Sequence, residues 1–175
     1  DVRLGSLPEQ ALQIRARIAL GDAEIADITV PVEGRDTHIE IPLDASHIPG
    51  GSDALLWSPD TPTLLDAGIE LLAGDTVVDA VSSYTGVRSS RIAGGRFLLN
   101  DEPTLLRLVL GQNYWPESHL AAPSADAIRR EVELIRELGF NGVRIHQKVE
   151  DPRFLYWCDR LGVMVWGEMA NAYVF

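Results

Sequence analysis

Three clusters of polar and aromatic side chains stand where a parallel α/β sheet would present them to a ligand. Gln112, Asn113, Tyr114, Trp115 and Glu117 follow one apolar segment; Arg144, His146, Gln147 and Lys148 close a second; Trp166, Glu168 and Asn171 close a third. Ligands of parallel α/β folds bind at the carboxyl ends of the strands. Aromatic rings stack on the apolar face of a sugar, while amides, carboxylates and a guanidinium bond its hydroxyls, so the combination suits a carbohydrate. On this reading Arg144, His146, Asn113, Trp115, Trp166 and Glu168 are the substrate-binding candidates. Each type also has a plain structural use. Tyr114 and Trp115 can cover a domain joint, and Arg144 can form a strand-end ion pair with Glu168 or Glu150. His146 can be structural, and Glu168 can support a neighbour without touching a ligand.

The elements that must position these residues are legible after Phe97. Residues 105–110 form a nearly continuous apolar run, the mark of a strand covered on both faces. Residues 125–138 place Ile128, Val132, Ile135 and Leu138 on one helical face, with Arg129, Arg130, Glu133 and Glu137 elsewhere. Ser124 is the expected N-cap and Gly139 the left-handed stop. Residues 143–145 are the next strand. Asp151-Pro152 opens a second helix that ends at Gly162, and residues 163–166 form a third buried strand. Strand, helix, strand, helix, strand with short links predicts a parallel sheet. Cys158, among Leu155, Trp157 and Leu161, is expected in the core.

Residues 1–92 have a different period. Leu12, Ile14, Ala16, Ile18 and Leu20 alternate with Gln13, Arg15, Arg17 and Ala19, the pattern of a half-buried strand. Gly21-Asp22 turns the chain into residues 24–32, and Ile39, Ile41 and Leu43 alternate next, with Pro42 suited to an edge. A hairpin joins residues 64–72 to 76–84, and a short strand falls in residues 86–92. Six or seven strands with turns between them, and no helix, predict an antiparallel sandwich. Trp57 is expected to pack within it.

Composition narrows the function classes. The 175 residues carry 15 basic and 26 acidic side chains, a formal net charge of −11. Such a chain lacks the footprint of a protein that binds nucleic acid or an anionic membrane. A chain 46% apolar and 23% charged is globular. No apolar run reaches the roughly 18 residues of a membrane span. One cysteine closes no intrachain disulfide, and the four histidines lack metal-ligand spacing, so no metal is expected. Gly111-Gln112-Asn113-Tyr114-Trp115 lacks the glycine spacing of a phosphate loop, no nucleophile elbow is present, and no cofactor is expected. The chain starts at Asp1 with no signal peptide and reaches Phe175 just past a third strand, which points to a piece of something longer. Cytoplasm and periplasm both remain open, as does the oligomeric state.

Five segments then resemble one family in order. Leu56-Trp57-Ser58-Pro59 with Pro62-Thr63-Leu64-Leu65 resembles the Leu-Trp-x-Pro…Pro-x-Leu-Tyr signature in the immunoglobulin-like domain of glycoside hydrolase family two. Tyr84-Thr85-Gly86-Val87-Arg88 is similar to that family's Phe/Tyr-Gly-x-Arg strand. Phe97-Leu98-Leu99-Asn100-Asp101-Glu102-Pro103 resembles its link into the barrel, with Asp101 in place of the usual glycine. Glu137-Leu138-Gly139-Phe140-Asn141-Gly142-Val143-Arg144 and Cys158-Asp159-Arg160-Leu161-Gly162-Val163-Met164-Val165-Trp166 resemble its runs into the second and third barrel strands. Ile145-His146-Gln147-Lys148 departs from the Ser-His-Tyr-Pro of many members.

The resemblance implies an immunoglobulin-like β-sandwich over residues 1–95, then the first three β/α units of a (β/α)8 TIM barrel over residues 96–175, the barrel incomplete. It implies part of a retaining β-glycosidase acting on a carbohydrate, with Arg144 at the floor of the sugar site. The family's acid/base glutamate follows an asparagine at the fourth strand and its nucleophile follows the seventh, so no catalytic residue falls in this chain and the fragment alone is expected to be inactive. Its partner is then the remainder of its own parent chain. The competing expectation is a non-catalytic carbohydrate-binding or interaction module.

Overall fold

The computed structural model describes residues 1–6, 10–112 and 114–171 and divides the chain into two compact units. The first comprises Asp1–Leu55 and Leu64–Gly86; the second comprises Leu56–Thr63 and Val87–Phe175. The short segment carrying Trp57 therefore counts with the second unit, although it lies inside the strand-rich half of the sequence.

The first unit is built on strands. β1 (Val2–Arg3) pairs with β4 (Asp36–Thr37), while β2 (Gln13–Leu20), β3 (Ala23–Pro31), β5 (Leu65–Ala73) and β6 (Thr76–Thr85) form an antiparallel sheet in the order β3-β2-β5-β6. The period-two pattern sets its faces. Ile14, Ala16 and Ile18 of β2 are buried, as are Ile25, Ala45, Leu55 and Leu65 of the same unit. Arg15 and Arg17 point to the other face, where Arg15 Nε donates to Asp27 at 2.8 Å and Arg17 to Glu70 at 2.6 Å. Two details differ from the sequence expectation. Residues 38–43 form no strand: Pro42 has no N–H to donate to a ladder, and the chain meets the sheet only afterwards, through Asp44 N–H to the Ile25 carbonyl at 3.0 Å. A single 3-10 turn at Gly51–Leu55 stands where no helix was expected and buries Leu55.

The second unit begins with an antiparallel sheet of β7 (Ser90–Ala93), β8 (Arg96–Leu99) and β9 (Glu102–Pro103). Gly94 and Gly95 take φ of +56° and +73°, the pair of left-handed residues that a two-residue hairpin needs. The parallel sheet follows, with β10 (Leu108–Gly111), β11 (Gly142–Ile145) and β12 (Met164–Trp166) side by side. Between them run α1 (Ala125–Glu137) and α2 (Pro152–Leu161). Both helices end as their sequences require. Ser124 Oγ accepts from Ala127 N–H at 3.0 Å, and Gly162 takes φ of +73° past α2. Ile128, Val132 and Ile135 of α1 pack with Phe154 and Cys158 of α2 against Val143, Ile145 and Val163. Burial pushes the Cys158 thiol up, so it behaves as core.

Asp151 caps α2 by accepting from Arg153 N–H at 2.8 Å while its carboxylate pairs with the Arg153 guanidinium at 2.6 Å. The guanidinium contact first, then the backbone bond, lowers the Asp151 pKa from 3.8 to about 2. A depressed carboxylate stabilises the fold above its ordinary value and loses that contribution as pH falls through its folded one. Melting temperatures of wild type and Asp151→Asn should therefore differ near neutrality, wild type higher, and converge between pH 4 and pH 2. A gap unchanged across that window would refute the ionic contribution, because asparagine retains the cap.

The parallel sheet is covered mainly on its helix face. Its residues alternate: Val143 and Ile145 meet the helices, while the register sets Leu108, Gly142 and Met164 in one row and Leu110, Arg144 and Trp166 in the next on the opposite face. There Leu110 is 53% and Trp166 56% exposed. The expectation of strands buried on both faces is corrected for β10 and β12. The first of these is also shorter than its apolar run, because the Asn141 side chain takes the preceding backbone. Its Oδ1 accepts from Arg107 N–H and its Nδ2 donates to the Leu105 carbonyl, both at 2.8 Å. Among the described residues, no helix is long and apolar enough to cross a membrane.

Candidate functional site

Parallel strands of matched register bring their carboxyl ends together, so the site is built from Gly111, Ile145 and Trp166 onward. Arg144 lies opposite Trp166 in the ladder, on the open face. Two residues past Trp166, the Glu168 carboxylate reaches back over the strand ends. Its Oε1 accepts from Arg144 Nε at 2.5 Å and its Oε2 from Gln147 N–H at 3.0 Å. These two bonds, the Gln147 amide first, hold the Glu168 carboxyl below the usual carboxylate range. Of the two partners the sequence offered Arg144, the structure selects Glu168; Glu150 instead pairs with Lys148 at 3.0 Å. Among the described residues, neither Nη of Arg144 has a protein partner, and its side chain is half exposed.

His146 joins the neighbouring strand end. Its backbone N–H donates to the Gly111 carbonyl at 3.0 Å, and the Gln112 side-chain amide donates to its Nδ1 at 2.9 Å. A neutral ring in this pairing carries its proton on Nε2 and offers it as a donor. Arg144, His146, Glu168 and Trp166 are thus neighbours at the ends of β11 and β12, with Gln112 tying in β10. Trp115 departs from them. It sits in a loop closed by reciprocal backbone bonds to His119, at 2.7 and 2.9 Å, and lines a separate cavity of about 420 Å³ with Gln112, Glu131, Lys148 and Glu150. Asn113 lies outside the described residues.

That cavity contains one group the sequence reading passed over. Glu131 Oε2 is buried without a hydrogen-bond partner among the described residues. Burial, helped by Glu150 and opposed by Lys148, raises its pKa. The signal was its position three residues after Ile128 and next to Val132, at the margin of the buried helix face. Among the described residues, no three His, Cys, Asp or Glu side chains gather as metal ligands would.

A second cluster explains what most of the sequence motifs do. Trp57 is 2% exposed, with its Nε1 donating to the Asp159 carbonyl at 2.7 Å. Asn100 Nδ2 donates to the Trp57 carbonyl at 3.0 Å, and Arg88 lies 5.2 Å from the indole centroid. A cavity of about 560 Å³ beside them is lined by Trp57, Arg88, Phe97, Asp159, Met164 and Trp166. Four separated motifs meet at one joint, which is structural.

Residues 6–88 match the model of Glycosyl hydrolases family 2, the family that the five sequence segments resemble. The chain is 33% identical over 118 residues to a protein named putative beta-glucuronidase from Formosa agariphila, covering 65% of this chain and 14% of that protein. It is 31% identical over 117 residues to a beta-galactosidase from Thermoanaerobacter pseudethanolicus, covering 66% of this chain and 16% of that one. Among solved structures, an FMN-binding beta-glucuronidase from Facaelibacterium prausnitzii L2-6 superposes with a TM-score of 0.77 at 27% identity, over 93% of this chain and 24% of its own. The chain thus spans about a seventh of the length of the curated relatives.

Proposed function

We propose that this chain is part of a retaining β-glycosidase that hydrolyses a carbohydrate. In this reading residues 1–95 belong to an immunoglobulin-like β-sandwich, and residues 96–175 are the first three β/α units of a (β/α)8 barrel. The observation that carries it is Arg144. At the carboxyl end of a parallel strand, on the face turned away from the helices, it is held through Nε with both Nη groups unengaged by the described residues. A retaining mechanism needs two carboxyls about 5–5.5 Å apart, one nucleophile and one acid/base. Glu168 is engaged by Arg144 and Gln147, and the family resemblance implies that both catalytic carboxyls come from elsewhere in the parent chain. Arg144 can then keep a neighbouring nucleophile ionised. His146, oriented by Gln112, can donate to a sugar hydroxyl, and Trp166 offers a ring beside them.

The reading is tested with the gene product that contains this chain and a panel of aryl β-glycosides. Turnover with retention of anomeric configuration, lost by at least about 100-fold in Arg144→Ala, is the expected result; the 175-residue chain alone should turn over none. Sugar binding without any hydrolysis by the whole protein would favour a non-catalytic carbohydrate-binding module instead.

A further inference from the structure

We propose that Glu168 is the positioning residue of this site, dividing its carboxylate between the Arg144 guanidinium and the Gln147 backbone so that Arg144 faces the sugar in one orientation. The inference rests on the glycosidase reading and concerns how its binding surface is set.

Three observations converge on it. Glu168 contacts Arg144 at Nε, the inner nitrogen, which leaves the terminal fork without a partner among the described residues. Exposed pairs such as Arg3–Asp36 and Arg91–Asp101 are also made at Nε, so the contact matters here for what it leaves free and not for its rarity. Contact at Nε restricts the guanidinium and leaves its two-pronged end for another carboxylate or a diol. Next, Gln147 adopts φ of +53°, a left-handed conformation that a side-chain-bearing residue avoids without support. Its N–H is the one that Glu168 Oε2 accepts at 3.0 Å, so the carboxylate anchors the strained turn directly after His146. Finally, the Glu168 side chain is 22% exposed against 48% for Arg144. The anion is the more enclosed partner and the guanidinium the presented one. One side chain from the end of β12 therefore fixes both the arginine of β11 and the turn that follows it. Glutamine at 168 keeps the shape and loses the charge. Aspartate keeps the charge and is one methylene too short to span both bonds.

The test uses the complete gene product, an aryl β-glycoside, and melting temperatures to confirm folding. Glu168→Gln should lower kcat about 10- to 100-fold, as expected for a misplaced group in a preorganised site, with KM changing much less. Glu168→Asp should fall between wild type and Glu168→Gln. Adding Gln147→Gly to Glu168→Gln should restore kcat several-fold, because glycine holds the left-handed turn without the anchor. A purely structural ion pair would lower the melting temperature and leave kcat of the folded variant unchanged, with no recovery from Gln147→Gly. If Glu168→Gln does not fold, Glu168→Asp decides on the same readout: kcat within twofold of wild type overturns the positioning role. A wild type that hydrolyses no aryl β-glycoside overturns the enzymatic reading and this role with it. An active wild type with an indifferent Glu168 overturns the role alone.

Discussion

Trp57→Ala should lower the unfolding free energy of the second unit by about 3–5 kcal/mol, the usual cost of removing a fully buried aromatic side chain. The indole is 2% exposed, and more than apolar volume is lost with it. Its Nε1 donates to the Asp159 carbonyl at the end of α2, and the Arg88 guanidinium lies over its face. Its own backbone also bonds on both sides, the N–H to the Val87 carbonyl at 2.8 Å and the carbonyl to Asn100 Nδ2. Those backbone bonds survive truncation in principle, but the side chain that holds the segment against α2 does not. Trp57→Phe separates the contributions. Phenylalanine retains most of the apolar contact and loses the donor, so its cost should be about 1–2 kcal/mol. Denaturant titration followed by tryptophan fluorescence is a selective readout, because Trp57, Trp115, Trp157 and Trp166 all fall in the second unit. A midpoint for Trp57→Ala equal to that of wild type would show that the joint carries no stability.

The same joint shows where sequence reasoning reached and where it stopped. Both helices were legible to within a residue at each end, because their limits are local chemistry: a serine cap, an Asp-Pro start and a glycine stop. Hairpins were legible for the same reason. Burial of Trp57 was legible from its type, but its partner was not. Asp159 is 102 residues away, and nothing in the alternation around Trp57 points to a helix. The face left open on β10 and β12 was likewise invisible, since an apolar run reads the same whether the second face is covered or not. Residues 38–43 show the converse error, where alternation held while Pro42 and missing ladder bonds did not allow a strand. At the candidate site, Arg144, His146 and Glu168 gather at the strand ends from which the sequence reading took them. The sequence offered Glu168 and Glu150 as equal partners for Arg144; only the parallel register, which sets Arg144 opposite Trp166, decides between them. Trp115 follows its own loop into a different cavity, because a loop aromatic is not constrained by strand register.

Gly162→Ala should be the most damaging single-atom addition in the α2 terminus, with an expected loss of about 2–5 kcal/mol. Two effects contribute. Glycine takes φ of +73° there, and an L-residue in the left-handed region costs about 1–2 kcal/mol. A Cβ would also sit 2.2 Å from the Pro59 carbonyl oxygen and 3.0 Å from its carbon, so backbone must move, an overpacking cost of about 1–3 kcal/mol. The molecule contains its own control. Gly139 ends α1 in the same way, at φ of +85°, but nothing lies within 4 Å of a Cβ built on it. Gly139→Ala should therefore show the conformational cost alone, and the difference between the two variants measures the approach of Pro59. Equal losses would mean that Leu56–Thr63 yields freely, which would also weaken the case for Trp57 as the residue that holds it. If the joint is rigid, Trp57→Ala and Gly162→Ala should instead combine to less than their sum, since each loosens the segment that the other needs in place.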